Sequence, residues 1–290
     1  MHAMDAGEWQ KRGQMHRVGQ HELFCVDTGG DKPVLLILHG YPTSSYDYWR
    51  SLPILAEHYR VIVHDHLGFG FSDKPHDYSY SLVDQADYAI ALWRELGVTE
   101  ADVLGHDYGS SVATELLARR NFGSEPIKLR SLTLCNGSMH IELANLRIMQ
   151  RLLKAPRVGS VVARLASEPL FHRNIRKIFA DPSFLDEQEL NAMWSQLIGG
   201  GGRDVLPVIT RHIDERYRLW HRWIGALRDT NLHIHIVWAR QDPVAVEKMA
   251  HVLHDEIANS DLQLLDGVGH FPMIEAAERW SAAVLSVLRR

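Results

Sequence analysis

The sequence predicts an α/β fold in which a mostly parallel, doubly wound sheet carries a helical cap. Three short runs, 34–40, 60–66 and 101–107, are rich in Val, Leu and Ile and nearly continuous in apolar residues. Such runs are typical of parallel strands that are buried on both faces of a sheet. Helical patterns at 82–97 and 110–120 follow the second and third runs. Strands that alternate with helices in this way favour a doubly wound sheet.

The domain organisation follows from a break in this alternation. Two further strand-like runs, 129–136 and 233–239, stand on either side of a stretch that is rich in Leu, Arg and Trp and has few strand-like segments. We therefore assign residues 15–137 and 229–290 to the core. Residues 138–228 are predicted to form a helical cap that is inserted into the core.

Four other features of the chain carry expectations about local structure. Residues 1–14 are interpreted as a loosely ordered lead-in. The glycines at 199–202 are interpreted as a mobile loop, with a loop whose backbone contacts a ligand as the alternative. Cys25 and Cys135 each lie in a strand-like segment, and we expect them to be buried free thiols.

The composition excludes several classes of partner. Of the 290 residues, 46% are hydrophobic and 23% are charged, and the net charge of −5 is spread along the chain, so neither nucleic acid nor a membrane surface is an expected partner. No apolar run approaches the roughly 20 residues that span a bilayer. The amino terminus has charge where a secretory signal would be apolar. We expect a cytoplasmic protein, a monomer or homodimer, without cofactor or metal.

The motif Gly-His-Asp-Tyr-Gly predicts a nucleophile at Asp107. It has the spacing of a nucleophile turn, and it follows an apolar strand and precedes a helical pattern, the context that this motif requires. A carboxylate is already ionised at neutral pH, so it can attack an electrophilic sp³ carbon directly and form an ester. Epoxides and alkyl halides present such a carbon. The alternative is an aspartate that only caps the following helix.

His270 and Asp242 are the predicted base and its partner. His270 lies in Gly-Val-Gly-His-Phe-Pro near the carboxyl end, and Asp242 follows a strand and precedes a proline. Together with Asp107 they keep the chain order nucleophile, acid, histidine. Asn136 occupies the alternative position for the acid but cannot supply a charge. His270 is expected to activate a water that attacks the acyl carbon of the Asp107 ester, while Asp242 fixes the imidazole tautomer.

Backbone groups are expected to hold the oxyanion that forms during ester hydrolysis. His-Gly-Tyr-Pro follows the first predicted strand and offers the N–H of Tyr41. The N–H of Tyr108, directly after the nucleophile, is its expected partner.

Several of these segments resemble one branch of a known family. HGYPTSSYDYW, DHLGFGFSDKP, GHDYGS, GVGHFP and RWIGAL are similar to segments of the epoxide hydrolase and haloalkane dehalogenase branch of the α/β-hydrolases, in particular the mesoderm-specific transcript hydrolase-like proteins. The similarity extends over 15–288. It implies an α/β-hydrolase fold with a cap, a small apolar electrophilic substrate and water as co-substrate.

The resemblance to haloalkane dehalogenases is incomplete at the halide site. That family places a Trp after the nucleophile and an Asn in the loop after the first strand, whereas this chain has Tyr108 and Tyr41. A halide donor could still come from the cap, where the candidates are Trp194, Trp220 and Trp223.

The resemblance to epoxide hydrolases is incomplete at the cap. Members of that family use two cap tyrosines to stabilise the opening ring, but between Tyr108 and Asp242 this chain has only Tyr217. His212 is the other candidate proton donor. The two are five positions apart on a helix and would diverge by roughly 140°. His140 and His172 are further candidates.

Epoxide hydrolysis to a vicinal diol is the preferred expectation, since the halide-binding Asn is missing. The alternatives are a haloalkane dehalogenase-like hydrolase, a related ring opening such as that of a β-lactone, and a non-catalytic ligand-binding protein. Substrate size, enantiopreference and the identity of the cap donor are left open at this point.

Overall fold

The computed structural model describes residues 3–289, which form an eight-stranded sheet with helices on both sides. Each of the five strand-like runs in the sequence coincides with a strand. The strands are β1 (Gln14–Val18), β2 (His21–Asp27), β3 (Val34–Leu38), β4 (Arg60–His64), β5 (Glu100–His106), β6 (Lys128–Cys135), β7 (Ile234–Ala239) and β8 (Ser260–Leu265).

The helices fall into three groups: those that precede β6, those between β6 and β7, and those that follow β7. The first group is α1 (Ala6–Gln10), α2 (Leu52–Ala56), α3 (Leu82–Glu95) and α4 (Tyr108–Asn121). The second is α5 (Ile148–Leu153), α6 (Val158–Arg164), α7 (Glu168–Arg176), α8 (Glu187–Ile198), α9 (Gly202–Ile209), α10 (His212–Arg218) and α11 (Trp220–Arg228). The third is α12 (Glu247–Glu256), α13 (Pro272–Glu275) and α14 (Ala277–Leu288).

The sheet order is β1-β2-β4-β3-β5-β6-β7-β8. The pairs from β4 to β8 are parallel, whereas β1 with β2 and β2 with β4 are antiparallel. The predicted α/β fold with a mostly parallel sheet is therefore confirmed. Because parallel strands end at one edge of the sheet, the segments after β3, β5, β7 and β8 bring Tyr41, Asp107, Asp242 and His270 to the same edge.

The amino-terminal segment is more ordered than the sequence suggested. Asp5 and Glu8 form a capping box at the start of α1, in which each side chain accepts a hydrogen bond from the other's backbone N–H. The indole of Trp9 is buried and donates a hydrogen bond to Ser45 Oγ (3.1 Å). The expectation of an irregular lead-in was therefore wrong from Ala6 onward, since burial of one large aromatic ring holds this short helix to the core.

The segment between β6 and β7 is helical throughout its regular parts, and within the described chain it contains no strand. The glycines at 199–202 do not form the loop that we expected. Gly199–Gly201 form a tight turn between α8 and α9 with non-helical backbone at Gly200, and Gly202 begins α9. Gly200 and Gly201 have φ angles of 59° and 86°, which a glycine adopts without strain.

Two other sequence expectations concern burial. Cys25 and Cys135 are buried and unbridged, as the strand-like surroundings of both residues indicated. No helix within residues 3–289 combines the length and the apolar character needed to cross a bilayer.

Close packing of α4 against β3 makes a substitution at Gly109 informative. A Cβ atom there would lie 2.0 Å from the carbonyl oxygen of Leu38, and backbone cannot move aside cheaply. We expect Gly109→Ala to lower the free energy of unfolding by about 3 kcal/mol. Gly225→Ala is the matched control, because that glycine lies inside a helix with open space around it. It should be neutral or stabilise by up to about 1 kcal/mol.

Urea unfolding of both variants measures the difference. Equal effects at the two glycines would contradict the packing described here.

Candidate active site

A strained turn presents the side chain of Asp107 at the edge of the sheet. Asp107 lies between the end of β5 and the start of α4, with φ 44° and ψ −104°. Few residues other than glycine adopt a positive φ, so this backbone is held by its surroundings. A Cβ atom on Gly105 would lie 2.7 Å from the carbonyl oxygen of Gly109. Gly105 therefore allows β5 to approach α4, just as Gly109 allows α4 to approach β3.

Both oxygens of the Asp107 carboxylate have hydrogen-bond donors nearby. The backbone N–H of Tyr41 donates to Oδ2 (3.1 Å). The guanidinium of Arg216 lies 3.4 Å from Oδ1 and donates to the backbone carbonyl of Asp107 (2.8 Å). Arg216 Nε also donates to Ser111 Oγ (2.8 Å). A carboxylate that is only 5% exposed is thus paired with a buried cation.

These neighbours keep Asp107 ionised. Burial alone would raise the pKa of Asp107, but the positive charges of Arg216 and then His270 outweigh it and lower the pKa to about 2. The predicted nucleophile is therefore an anion at neutral pH.

The predicted base and acid are in direct contact. His270 Nδ1 lies 2.7 Å from Asp242 Oδ2, and both side chains are buried. Three further donors hold Asp242: the backbone N–H groups of Val244 (2.7 Å) and Ala245 (3.1 Å), and Asn136 Nδ2 (2.9 Å). Asn136, which the sequence placed at the alternative acid position, therefore orients the acid.

The charge of Asp242 governs the protonation of His270. Burial alone would lower the pKa of His270, but the charge and hydrogen bond of Asp242, and then the charge of Asp107, raise it to about 9. His270 is accordingly an imidazolium at neutral pH as long as both carboxylates are ionised.

His106 ties the His270 loop to the nucleophile turn. His106 Nε2 donates to the backbone carbonyl of His270 (2.8 Å), and the two rings lie 5.0 Å apart between centroids. Because His106 directly precedes Asp107, this hydrogen bond holds His270, the predicted base, beside Asp107, the predicted nucleophile.

The two predicted cap donors lie on different sides of α10. His212 is buried, with its ring 5.1 Å from the rings of both Tyr41 and Tyr108, whereas Tyr217 is 52% exposed. His212 Nδ1 can only donate to the carbonyl of Ile209 (2.9 Å), which leaves a lone pair on Nε2. Burial lowers the pKa of His212 to about 3, so the ring stays neutral. In this tautomer His212 is an acceptor toward the site, and Tyr217 is not brought to it.

Two of the three candidate tryptophans are occupied elsewhere. Trp220 donates to Glu142 Oε2 (3.0 Å), and Trp223 donates to Glu115 Oε2 (2.9 Å). The indole of Trp194 lines the cavity beside His270. Trp194 is thus the tryptophan that remains available as a donor.

The histidines proposed as further partners pair with surface carboxylates. His140 lies between Glu142 (2.7 Å) and Glu256 (2.9 Å), and His172 lies 3.4 Å from Glu187. Neither belongs to the lining of the cavity at His270.

A cavity of about 640 Å³ separates the sheet edge from the cap. Tyr41, Pro42 and His270 contribute its core side, and most of its other lining residues are apolar. The basic residues in the lining are Arg147, Arg173 and Lys177, and the lining includes no acidic side chain among the described residues. The cap residues come mainly from α5, α7 and α8. Asp107 itself is not among the lining residues of this cavity, but Tyr41 and His270 belong both to the cavity and to the surroundings of Asp107.

Arg216 is the residue of the site that sequence reasoning missed. It is 109 positions from Asp107 in the chain, and only the packing of α10 against the start of α4 brings the two together. One signal in the sequence could have indicated Arg216: it is four positions from His212, and residues four apart share a helix face. The structure shows both side chains buried on that face of α10.

Several known proteins are similar in sequence to this chain. Residues 33–197 match the family model of the alpha/beta hydrolase fold. The chain is 38% identical to "Putative hydrolase LipZ" of Mycobacterium tuberculosis over 97% of both chains. It is 33% identical to "Mesoderm-specific transcript homolog protein" of Homo sapiens, over 92% of this chain and 83% of that one. The chain therefore belongs to the α/β-hydrolase fold family, and the resemblance found in its motifs is confirmed.

Solved structures with the same fold include members of both expected branches. The epoxide hydrolase CorEH has a TM-score of 0.78 at 17% identity, covering 96% of this chain and 99% of that chain. A loop variant of the haloalkane dehalogenase DbeA from Bradyrhizobium elkanii has a TM-score of 0.79 at 22% identity, covering 96% of both chains. At these identities the likeness establishes the fold.

The raised pKa of His270 can be tested directly. Nuclear magnetic resonance titration of its ring should give a midpoint near 9 in the wild type, and a lower one in Asp242→Asn because the stabilising charge is gone. Since the folded-state pKa lies above the ordinary 6.5, His270 stabilises the fold fully below pH 6.5 and loses this contribution as pH rises through 9. The difference in free energy of unfolding between the wild type and His270→Gln should therefore decrease between pH 6.5 and pH 9. A wild-type midpoint near 6.5 would contradict the geometry.

Removing the guanidinium should expose the cost of burying Asp107. We expect Arg216→Met to lower the free energy of unfolding by about 3–5 kcal/mol at pH 7, because an unpaired carboxylate stays buried. The loss should shrink as pH falls, because burial without the Arg216 charge raises the pKa of Asp107, so the variant takes up a proton at a higher pH than the wild type, whose pKa is lowered to about 2. Arg218→Met is the control, since Arg218 is exposed on the same helix. Equal losses of unfolding free energy in Arg216→Met and Arg218→Met would contradict the role of Arg216 as the cation that compensates Asp107.

Proposed function

We propose that this α/β hydrolase opens epoxides to vicinal diols through an ester on Asp107. The observation that carries the proposal is an ionised, buried carboxylate at the nucleophile turn, next to a buried histidine that is itself paired with a second carboxylate. A serine or cysteine hydrolase has a neutral group at this turn that must lose a proton before it attacks. Asp107 needs no such step, and its natural targets are strained or polarised carbon–heteroatom bonds.

In the first step, a carboxylate oxygen of Asp107 attacks a ring carbon, and the carbon–oxygen bond of the epoxide breaks. The new ester is neutral at the carboxylate, and the opened ring oxygen becomes an alkoxide. His270 begins the cycle as an imidazolium, because its pKa is raised to about 9. Transfer of its proton to the alkoxide, directly or through a water, gives the alcohol and a neutral imidazole. The core thereby supplies, through His270, the proton that a pair of cap tyrosines would otherwise donate.

In the second step, neutral His270 takes a proton from a water that attacks the acyl carbon of the ester. The charge of Asp107 is absent from the ester, so one of the causes that raise the pKa of His270 is removed at this stage. The oxyanion develops on the oxygen that accepts the N–H of Tyr41, with the N–H of Tyr108 as the second donor. Collapse of the intermediate breaks the ester bond between the acyl carbon and the substrate oxygen. The proton of the new Asp107 carboxylic acid passes to the departing alkoxide, which releases the diol and restores the Asp107 carboxylate with an oxygen from water.

This proton balance favours an epoxide over an alkyl halide. An alkoxide is a strong base and takes up the proton that His270 must lose, whereas a departing halide does not. A halide would also need donors in the cap, and Trp220 and Trp223 already donate to carboxylates. Dehalogenation remains the second candidate, because Trp194 lines the cavity.

The cavity lining supports a largely apolar substrate. Most of the cap side chains around the cavity are aliphatic or aromatic, among them Leu153, Phe171 and Ile175. Water would be the co-substrate.

A non-catalytic ligand-binding role would not need the contact between His270 and Asp242, because burying this charged pair costs free energy without helping a ligand to bind.

The decisive experiment traps the ester. His270→Gln is incubated with a mixed panel of epoxides and haloalkanes, and the intact protein and its peptides are measured by mass spectrometry. We expect a stable adduct on Asp107 with the mass of an opened epoxide. Without the proton of His270 the ester should form more slowly, with water as the proton source, but it should accumulate because the variant cannot hydrolyse it. Wild-type protein in water enriched in ¹⁸O should incorporate the label into Asp107 after turnover.

Asp107→Asn is the matched control and should acquire no adduct at that residue. An adduct that lacks the halogen of a haloalkane would shift the assignment to dehalogenation. If no compound in the panel labels Asp107 and the wild type turns none over, the catalytic proposal fails and ligand binding is favoured.

A further inference from the structure

A second cluster of chemically capable side chains lies at the opposite edge of the sheet. His233 directly precedes β7, His235 lies within β7, and Asp261 lies opposite His235 in the register of β8. One ligand atom from each falls within 4.8 Å of the others. These residues line a cavity of about 710 Å³ at the amino ends of the strands, whereas Asp107 and His270 follow carboxyl ends.

The distances in this cluster are those of ligands around one ion. Asp261 Oδ2 lies 3.1 Å from His233 Nε2 and 3.0 Å from His235 Nδ1. Two ligand atoms with bonds of about 2.1 Å to one ion are about 3.0 Å apart in octahedral coordination and about 3.4 Å apart in tetrahedral coordination, so the distances here are within a few tenths of an ångström of either geometry. Residues 233 and 235 face the same side because side chains alternate along an extended chain.

The tautomer of His233 is fixed by a neighbour outside the cluster. Asn259 Nδ2 donates to the carbonyl of Asn231 (3.2 Å), so its Oδ1 must face His233 Nδ1 (2.8 Å) and accept the N–H from it. The neutral ring therefore directs the lone pair of Nε2 at the carboxylate of Asp261. Two acceptors at that distance repel unless a proton or a metal ion lies between them. A metal-bound histidine characteristically donates its other N–H to such a partner.

The charges around the cluster also suit a cation. Asp102 and Arg130 line the same cavity, and they neutralise each other through a 2.6 Å ion pair. Arg130 is thus paired and does not oppose an ion at Asp261. The side chain of His233 is 41% exposed, so an ion could enter from solvent and complete its coordination with water.

We propose that His233, His235 and Asp261 form a binding site for a divalent late transition metal such as Zn²⁺ or Ni²⁺. Two imidazoles and one carboxylate favour these ions over Mg²⁺ and Ca²⁺, which prefer oxygen ligands. The ion would link β7 to the edge strand β8 and stabilise that side of the sheet. The site is independent of the chemistry at Asp107.

The test is titration calorimetry of the full chain, without an affinity tag, with ZnCl₂, NiCl₂ and MgCl₂. We expect one Zn²⁺ or Ni²⁺ per chain, a higher melting temperature with either ion, and no uptake of Mg²⁺. His233→Gln and Asp261→Asn should abolish binding. Asn259→Ala should weaken metal binding about tenfold, because His233 Nδ1 then has no acceptor to hold its proton and the Nε2 lone pair is no longer fixed toward the ion, although no ligand is removed.

His251→Gln is the matched control, since His251 also pairs with one carboxylate (Glu247, 3.3 Å) but has no third ligand. It should leave affinity and stoichiometry unchanged. The proposal is overturned if the wild type binds neither Zn²⁺ nor Ni²⁺, or if His233→Gln and Asp261→Asn both bind as the wild type does. If Mg²⁺ bound as tightly as Zn²⁺ or Ni²⁺, the proposed preference of the site for late transition metals would be wrong.

Discussion

The buried negative charge of Asp107 is the constraint on which the rest of the site depends. A carboxylate removed from water must be compensated by nearby positive charge and donors, or it takes up a proton and ceases to be a nucleophile. The compensation comes from three parts of the chain: the loop after β3 through Tyr41, the cap through Arg216, and the loop after β8 through His270. The cap is therefore part of the electrostatic environment of the nucleophile as well as the roof of the cavity.

The site as a whole is close to electroneutral in its resting form. Two carboxylates, Asp107 and Asp242, are balanced by Arg216 and the imidazolium of His270. Alkylation of Asp107 would remove one negative charge and leave an excess of positive charge around the ester. Such an excess favours both loss of a proton from His270 and stabilisation of an oxyanion. The same charge change thus serves the second half of the proposed cycle.

The sequence predicted those parts of the protein that local patterns determine. Apolar runs gave the parallel strands, and the motifs around Asp107, Asp242 and His270 placed all three at strand ends, where the fold brings them together. The position of Arg216 could not be predicted, because it depends on how one cap helix packs on α4. Nor could the inward face of His212, whose role as an acceptor is set by a single hydrogen bond to Ile209. The order at Trp9 was missed for the same reason, since a tertiary contact rather than helix propensity stabilises five residues.

Asn136 bears on how such a site can change over time. Its amide holds Asp242 Oδ2 through Nδ2 and accepts the backbone N–H of Ala239 through Oδ1, so it bridges neighbouring strands at the point where either could supply the acid. A carboxylate at both positions at once would place two like charges within hydrogen-bonding distance, and the pair would have to share a proton. Relocation of the acid from one strand to the other therefore cannot pass through a form that carries both in the ionised state. The amide of Asn136 keeps the ends of β6 and β7 joined, and it leaves Asp242 as the one carboxylate that can pair with the histidine.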